Sequence, residues 1–506
     1  MRHKPLASSL VISFCFALTN CNFQPAKKKD TSPTEYSFNI VAFNDFHGAI
    51  EENGRRMGLA KVGTYLKEQT SLENTLSISQ GDDWQGSIYS NYNRGRLIND
   101  VYAYAKLSAR TIGNHDFDWG VDALIDNTKT GYDGYTTPVL AANVYDYNFS
   151  TKTLGNIQQQ DIGQTTVSYT LENGLKVGIV GVIGENQITS ITSSYTEEIG
   201  FADHIKIIKD ESVKLKEAGC DVVIASCHAG QEQVIEQGLE EYVNLVLCGH
   251  THKNESYIEE NELYYLQFGA NGECIGNLSL TYNKNEKNLT VDNIEEINMY
   301  NIDYRISGID PVISELISDY AEECDSEANE VLVENVYGNF YRDQQAANMM
   351  CKAIYEKAVE EGHDDLLLSY CNIGRTHLYG GTWTYADIYE AFPFDNVIYI
   401  ESVKGNDILN NVAYYNNVYI NPSIEGDIII DRNQYYKIAV VDYLLYHTNT
   451  RRYYDYFASF DGHPDGFLSS NYRLILREWI KKQTSLNYRD YMSTLDSFKR
   501  SRLVSE

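Results

Sequence analysis

Positive charge is scarce in this chain of 506 residues: 41 lysines and arginines stand against 71 aspartates and glutamates, a formal net charge of −30. The deficit disfavours unaided binding to a nucleic acid polymer or an anionic lipid surface, because like charges repel over a Debye length of about 8–10 Å. It does not disfavour a phosphate substrate, since bound cations reverse the local sign. Paired cysteines are missing as well. Nine cysteines are present, seven of them after Cys21, and no two form a CxxC pair, so a disulfide framework is not indicated. Cys220, Cys227 and Cys248 flank or lie in apolar, strand-like runs and read as core thiols. There is no internal repeat, and no second hydrophobic span follows the N-terminal one.

What remains is a folded chain, 43% hydrophobic, too long for one ordinary core and long enough for two domains. Arg2, His3 and Lys4 precede an apolar stretch from Leu6 to Leu18, too short to cross a bilayer and of the kind that directs export. It ends in Leu18-Thr19-Asn20-Cys21, which resembles a bacterial lipoprotein signal whose cysteine carries lipid. A plain secretory peptide is the alternative. Residues 1–21 are therefore expected to be a signal peptide and 22–35 a flexible tether. The expected location is extracytoplasmic, at the cell envelope, with Cys21 as membrane anchor.

From Ser37 to Tyr282, Val- and Ile-rich runs alternate with helix-like segments, the pattern of a layered α/β domain. The strands expected are Phe38 to Phe43, Thr75 to Ser79, Val139 to Val144, Val177 to Val182, Val222 to Ala225 and Leu245 to Cys248. Leu59, Val62 and Leu66 share one helical face, and Ile205, Ile208 and Leu215 another. Gly308-Ile309-Asp310-Pro311 opens an amphipathic helix that marks the boundary. The domains expected are 36–305, a connecting helix at 306–328, and 329–506, the last beginning with a strand at Val331 to Val336 and a helix at Asp343 to Val359.

Polar residues gather where these strands end, the edge at which open α/β sheets bind ligands. Asn44-Asp45-Phe46-His47-Gly48 sets an Asp and a His two residues apart, on one side of an extended chain. Gln80-Gly81-Asp82 offers a carboxylate with two oxygens, enough to bridge two cations. Gly113-Asn114-His115-Asp116-Phe117-Asp118 adds an amide, an imidazole and two carboxylates, and Cys227-His228-Ala229 and Gly249-His250-Thr251-His252 add three imidazoles. Such mixed ligands suit zinc, manganese, iron or cobalt without choosing among them.

In this order the five motifs strongly resemble the calcineurin-like metallophosphoesterases, in their 5'-nucleotidase branch. The resemblance implies a four-layer metallophosphoesterase sandwich, β-sheets flanked by helices, followed by a smaller α/β C-terminal domain that binds substrate. It implies two divalent metal ions, one held by Asp45, His47, Asp82 and His252, the other by Asp82, Asn114, His228 and His250. Asp82 is the bridge, and the nucleophile is metal-activated hydroxide. It places His115 beside the transferred phosphoryl group with Asp118 orienting its ring, Asp116 being the rival partner.

In the second half, Gly374-Arg375-Thr376, Gly380-Gly381-Thr382-Trp383-Thr384-Tyr385 and Phe392-Pro393-Phe394-Asp395-Asn396 resemble the family's C-terminal domain. There Arg375 is expected to bind phosphate or carboxylate, for which a planar bidentate donor is suited. The run before it lacks the family's double glycine and leaves Asn372 as the amide candidate. Asp465-Gly466-Phe467 resembles the turn whose ring stacks on a nucleobase, although His463 and Pro464 replace the family glycines. Tyr419 is a possible second ring and Arg342 a second phosphate ligand. The activity implied is release of phosphate from nucleotides. The alternatives are a cyclic nucleotide phosphodiesterase, a nucleotide-sugar hydrolase or another small-phosphoester hydrolase, and, in a different class, an inactive surface binding protein on the same fold.

Overall fold

Alternation with a period of two decides how the first half stacks. Along strand Glu35–Phe43, Ile40 and Ala42 face one way and Val41 and Phe43 the other, and all four are buried. A strand buried on both faces must lie in an inner layer. In the computed structural model this strand sits within a six-stranded sheet, parallel to Thr75–Ser79, Ala109–Thr111 and Val139–Leu140 on one side, with the antiparallel strands Cys274–Asn283 and Asn288–Asn298 on the other. A second six-stranded sheet has Tyr264–Phe268, Leu245–Cys248, Val222–His228 and Lys176–Ile183 running parallel at its centre. The structure describes residues 34–506 except 149, 152, 193–194, 259–262, 413–416, 446–456 and 461–462. The expected leader, Cys21 and all but the end of the tether lie outside the described residues.

The two sheets face each other through Ile40, Ala42 and Ile78 on one side and Ile179, Ile224 and Leu247 on the other. Outside the first, helices Gly58–Thr70 and Arg96–Tyr104 bury Leu59, Val62 and Val101 against Val41 and Phe43. Outside the second, helix His204–Glu217 buries Ile208 and Leu215 against Val180, Val182 and Val223. The result is the four-layer α/β sandwich the family resemblance implies.

Asp310 caps helix Pro311–Glu322 by accepting from the amides of Val312 and Ile313. The helix buries Ile313 against Gly63 and Val101. From there one buried cluster runs through Cys324 and Ala328 into the second half. In that half, helix Gln345–Glu360 covers a five-stranded sheet ordered Asn417–Ile420, Leu368–Cys371, Tyr435–Val441, Ile398–Lys404, Gly466–Phe467. Among the described residues, no helix is long and apolar enough to cross a membrane.

Two expectations need correction. The run Val139 to Val144 is not one strand: Val139–Leu140 ends in the first sheet, and Val144–Asn148 opens a separate three-stranded sheet. Asn143 makes the break, its buried amide donating to the carbonyls of Ile183 and Ala202 and accepting from the Ile183 amide. The short strand Ala109–Thr111, fifth of the six in the first sheet, was not expected, because Arg110 interrupts its apolar pattern.

Candidate metal centre and active-site cleft

Five of the seven expected metal ligands sit in left-handed backbone conformation: Asp45 (φ 50°), His47 (φ 49°), Asp82 (φ 56°), His250 (φ 75°) and His252 (φ 60°). Each costs an L-residue on the order of 1 kcal/mol or more, and such strain persists where the surroundings enforce it. Here the strand ends enforce it. The amide of Asp45 donates to the Gly81 carbonyl and that of His47 to the Asp82 carbonyl, lacing two loops together. Gly113 lets the third loop approach, for a Cβ there would lie 2.0 Å from Asp82 Oδ1.

The side chains converge as two groups, Asp45 with His47 and His252, and Asp82 with His228 and His250, the ligand atoms of each within 4.8 Å of one another. In both carboxylates one oxygen is fixed by a main-chain amide and the other is left facing the histidines. Asp45 Oδ2 accepts from the His250 amide at 2.8 Å, while its buried Oδ1 has no hydrogen-bond partner and lies 3.5 Å from His252 Nε2 and 3.8 Å from His47 Nε2. Asp82 Oδ1 accepts from the His115 amide at 2.8 Å. Its Oδ2 faces both groups, 3.2 Å from His228 Nε2 and 3.9 Å from His47 Nε2.

The histidines are oriented in the same way. His47 Nδ1 lies 3.0 Å from the Gln85 carbonyl and His228 Nδ1 2.8 Å from the Gln80 carbonyl. A carbonyl only accepts, so each Nδ1 carries the proton and each Nε2 presents its lone pair to the centre. There His47 Nε2 meets His252 Nε2 at 3.0 Å, and Asn114 Oδ1 lies 3.1 Å from His228 Nε2 and 2.9 Å from His250 Nδ1. Lone pair facing lone pair is repulsive unless a proton or a cation lies between. The donor set thus fits two divalent cations with Asp82 Oδ2 common to both.

The electrostatics agree. Burial holds His47 well below the ordinary histidine range, with Arg375 adding to it, and lowers His250 and His252 to about 3. These are neutral imidazoles, as metal ligation requires. Burial opposes charge on Asp82, yet His228 and His115 outweigh it and hold the carboxyl well below the usual range. Burial likewise opposes charge on His228, but Asp82 and Asp45 prevail and push it up to about 9, so that without a cation Nε2 takes a proton toward Asp82, and a metal held there would displace that proton and use the lone pair.

Beside this centre a cleft of about 360 Å³ opens between the two halves, lined by Asn114, His115, Asp118, Arg375, Phe394 and Asn372 among others. His115 Nδ1 is 2.8 Å from Asp118 Oδ2, which leaves Nε2 facing Arg375 at 3.4 Å. Asp116 turns away and pairs with Arg110. Arg375 Nη2 comes within 3.1 Å of His47 Nε2, and the carbonyl of Arg375 accepts from Arg342 Nη1 at 3.1 Å. Arg342 and Asn372 also line the cleft, the buried Oδ1 of Asn372 with no hydrogen-bond partner.

Phe467 and Tyr419 are not among the described residues that line this cleft. Phe467 stands 68% exposed on a two-residue edge strand paired with Tyr399, and Tyr419 is buried between Tyr355 and Phe498. Phe394 does line it, with Trp119, Tyr195 and Tyr443, and stacks on His115 at 5.4 Å with 24° between the planes. Its motif is plain in the sequence. Only the fold brings it to the metal centre, through Gln85 and Asn91, which both donate to the adjoining Pro393 carbonyl.

Comparison with known proteins places this geometry. Residues 38–254 match the model of the calcineurin-like phosphoesterases. The chain is 28% identical to an apyrase from Tabanus yao over 244 residues, 45% of this chain and 41% of that protein. It is 27% identical to a 5'-nucleotidase from Diplobatis ommata over 283 residues, 50% of this chain and 47% of that one. The chain thus spans less than half the length of these curated relatives. In fold, a 5'-nucleotidase precursor from Thermus thermophilus superposes with a TM-score of 0.73 at 16% identity, covering 89% of this chain and 97% of that one.

Proposed function

We propose that the chain is a metal-dependent phosphohydrolase of the 5'-nucleotidase branch of the calcineurin-like phosphoesterases, one that releases phosphate from nucleotides. The observation that carries this reading is the convergence on one cleft of the two ligand groups, the His115–Asp118 pair and the Arg375 guanidinium. Two divalent cations held by Asp45, His47, Asp82, Asn114, His228, His250 and His252 supply a water of lowered pKa and a counter-charge for the phosphoryl oxygens.

The chain's own groups do the rest. Arg375 offers a planar pair of N–H donors to phosphate oxygens. Asp118 accepts from Nδ1–H of His115 and so leaves Nε2, the atom that faces the cleft, free to take up a proton, which the resulting imidazolium gives to the leaving oxygen while Asp118 balances its charge. Phe394, under the guanidinium at 5.8 Å, offers a flat apolar face for a base. Arg375→Ala should lower kcat/KM roughly 10–100-fold, the scale of hydrogen bonds to a charged group, with metal content unchanged. Steady-state kinetics beside metal analysis checks both.

A wider substrate class remains as the second reading, favoured by Phe467 and Tyr419 lying off the cleft lining. It covers cyclic nucleotides, nucleotide sugars and other small phosphoesters. Phosphate release measured with metal-loaded protein across nucleoside mono- and diphosphates, sugar nucleotides and a chromogenic ester separates the readings. No release from any of them would refute the activity. We further propose export with lipid attachment at Cys21, read from Leu6 to Cys21. Mass spectrometry of the mature N-terminus tests it, and an unmodified, uncleaved Met1 would refute it.

A further inference from the structure

A third group of metal-ligating side chains stands apart from the paired centre. Glu185, Asp203 and His204 bring one ligand atom each to within 4.8 Å of one another. A half-buried and an exposed acid near a helix start would mean little alone. His204 makes the difference: it is only 6% exposed, and neither ring nitrogen makes a hydrogen bond of good geometry, although the Gln233 main chain comes close enough to act on the ring. A buried polar ring without partners costs roughly 1–3 kcal/mol and calls for an explanation.

The surroundings show what is missing. Asp203 Oδ1 accepts from the Lys206 amide at 3.0 Å and caps helix His204–Glu217, which leaves Oδ2 uncommitted by that cap. Lys206 pairs with Asp210 instead of with these acids. Gln233 Oε1 is likewise buried without a hydrogen-bond partner, and it approaches Gly184, the residue before Glu185, closely enough that a Cβ there would lie 2.8 Å away. Burial lowers the His204 pKa against the opposing pull of Glu185 and the Gln233 main chain, so the ring is neutral and its lone pair available.

From this juxtaposition we infer a third divalent-cation site, formed by Glu185, Asp203 and His204, with Gln233 Oε1 beside the adjoining Gly184. One imidazole among carboxylate and amide oxygens suits a borderline ion such as zinc or manganese, and the exposed Asp203 gives it an entry path. The site bears on the cleft. Glu185 begins the segment Glu185–Ser190, and Ser190, Thr192 and Tyr195 line part of the cleft wall. A cation here ties that wall to the start of helix His204–Glu217.

The test is zinc titration of the metal-stripped full chain, read by equilibrium dialysis with metal analysis. Three ions per chain are expected, falling to two in His204→Gln and in Glu185→Gln. Loss of an outer partner alone costs about 10–100-fold in metal affinity, so loss of a ligand should weaken this site about 100-fold or more. Asp82→Ala, which weakens the paired centre, should still bind the ion of this third site, and adding His204→Gln should lower its zinc uptake by one ion per chain. Anomalous diffraction from zinc-soaked crystals should place a peak among the three side chains. Equal zinc uptake by wild type, His204→Gln and Glu185→Gln, with no peak there, overturns the inference whatever the paired centre does.

Discussion

Asp82→Ala is expected to bring the metal held at the paired centre from two ions to one or fewer and to reduce turnover about a thousandfold or more. The reason is geometric: Asp82 Oδ2 is the one carboxylate oxygen that faces His228 and His47 together, so its loss opens both groups at once. Metal pairs contribute several kcal/mol of transition-state stabilisation, and about 1.4 kcal/mol is a factor of ten in rate. Asp82→Asn is the control, since it retains an oxygen for the His115 amide while setting an NH₂ group among lone pairs. It should lose metal as well. His115→Ala should behave differently. Its ring belongs to neither ligand group and touches Asp118, Arg375 and Phe394, while the main-chain amide that steadies Asp82 survives the substitution. Turnover should fall on the order of 100-fold with metal content and folding unchanged. Metal analysis of the variants beside their kcat values distinguishes the two roles, and equal metal loss in both would sink this division of labour.

Much of that centre was legible because metal ligands are short motifs at strand ends, and strand ends are marked by apolar runs that stop abruptly. Asp45, Asp82, His228 and His250 each follow such a stop. The four layers were legible for a related reason: strands such as Val222–His228, buried along their whole length, read as continuous runs. Less legible was anything that depended on where the second half docks. Phe394 and Phe467 both sit in recognisable motifs, yet of the two only Phe394 lines the cleft, because Pro393 is gripped by Gln85 and Asn91 some 300 residues away. Local pattern carries no information about that grip. Tyr419 lay in a tyrosine-rich half with no periodicity to tell a core ring from a binding one, and its burial between Tyr355 and Phe498 comes from tertiary packing.

Arg110→Met is expected to destabilise the chain by about 3–5 kcal/mol. No sequence motif marks this residue, yet it lies 1% exposed on strand Ala109–Thr111, next to the edge of the first sheet, with Nη2 2.8 Å from Asp116, Nε 3.3 Å from Asp83 and its guanidinium 4.0 Å from the Trp84 ring. Removing one partner of a buried ionic group leaves uncompensated charge, and two carboxylates are stranded here. Both matter to the site: Asp83 adjoins Asp82, and Asp116 Oδ2 accepts from the Gly113 amide at 2.7 Å, holding the loop that carries Asn114 and His115. The pH dependence has a definite sign. Burial already raises Asp116 to about 6 against the pull of Arg110, and raises Asp83 as well. Without the guanidinium both carboxyls rise further, so the folded variant binds more protons than its unfolded chain, and its stability falls as pH rises. The deficit against wild type should therefore be small near about pH 4 and grow toward about pH 7. Urea unfolding at several pH values measures it. A deficit under about 1 kcal/mol, or one that shrinks as pH rises, would show that Arg110 does not neutralise this pair.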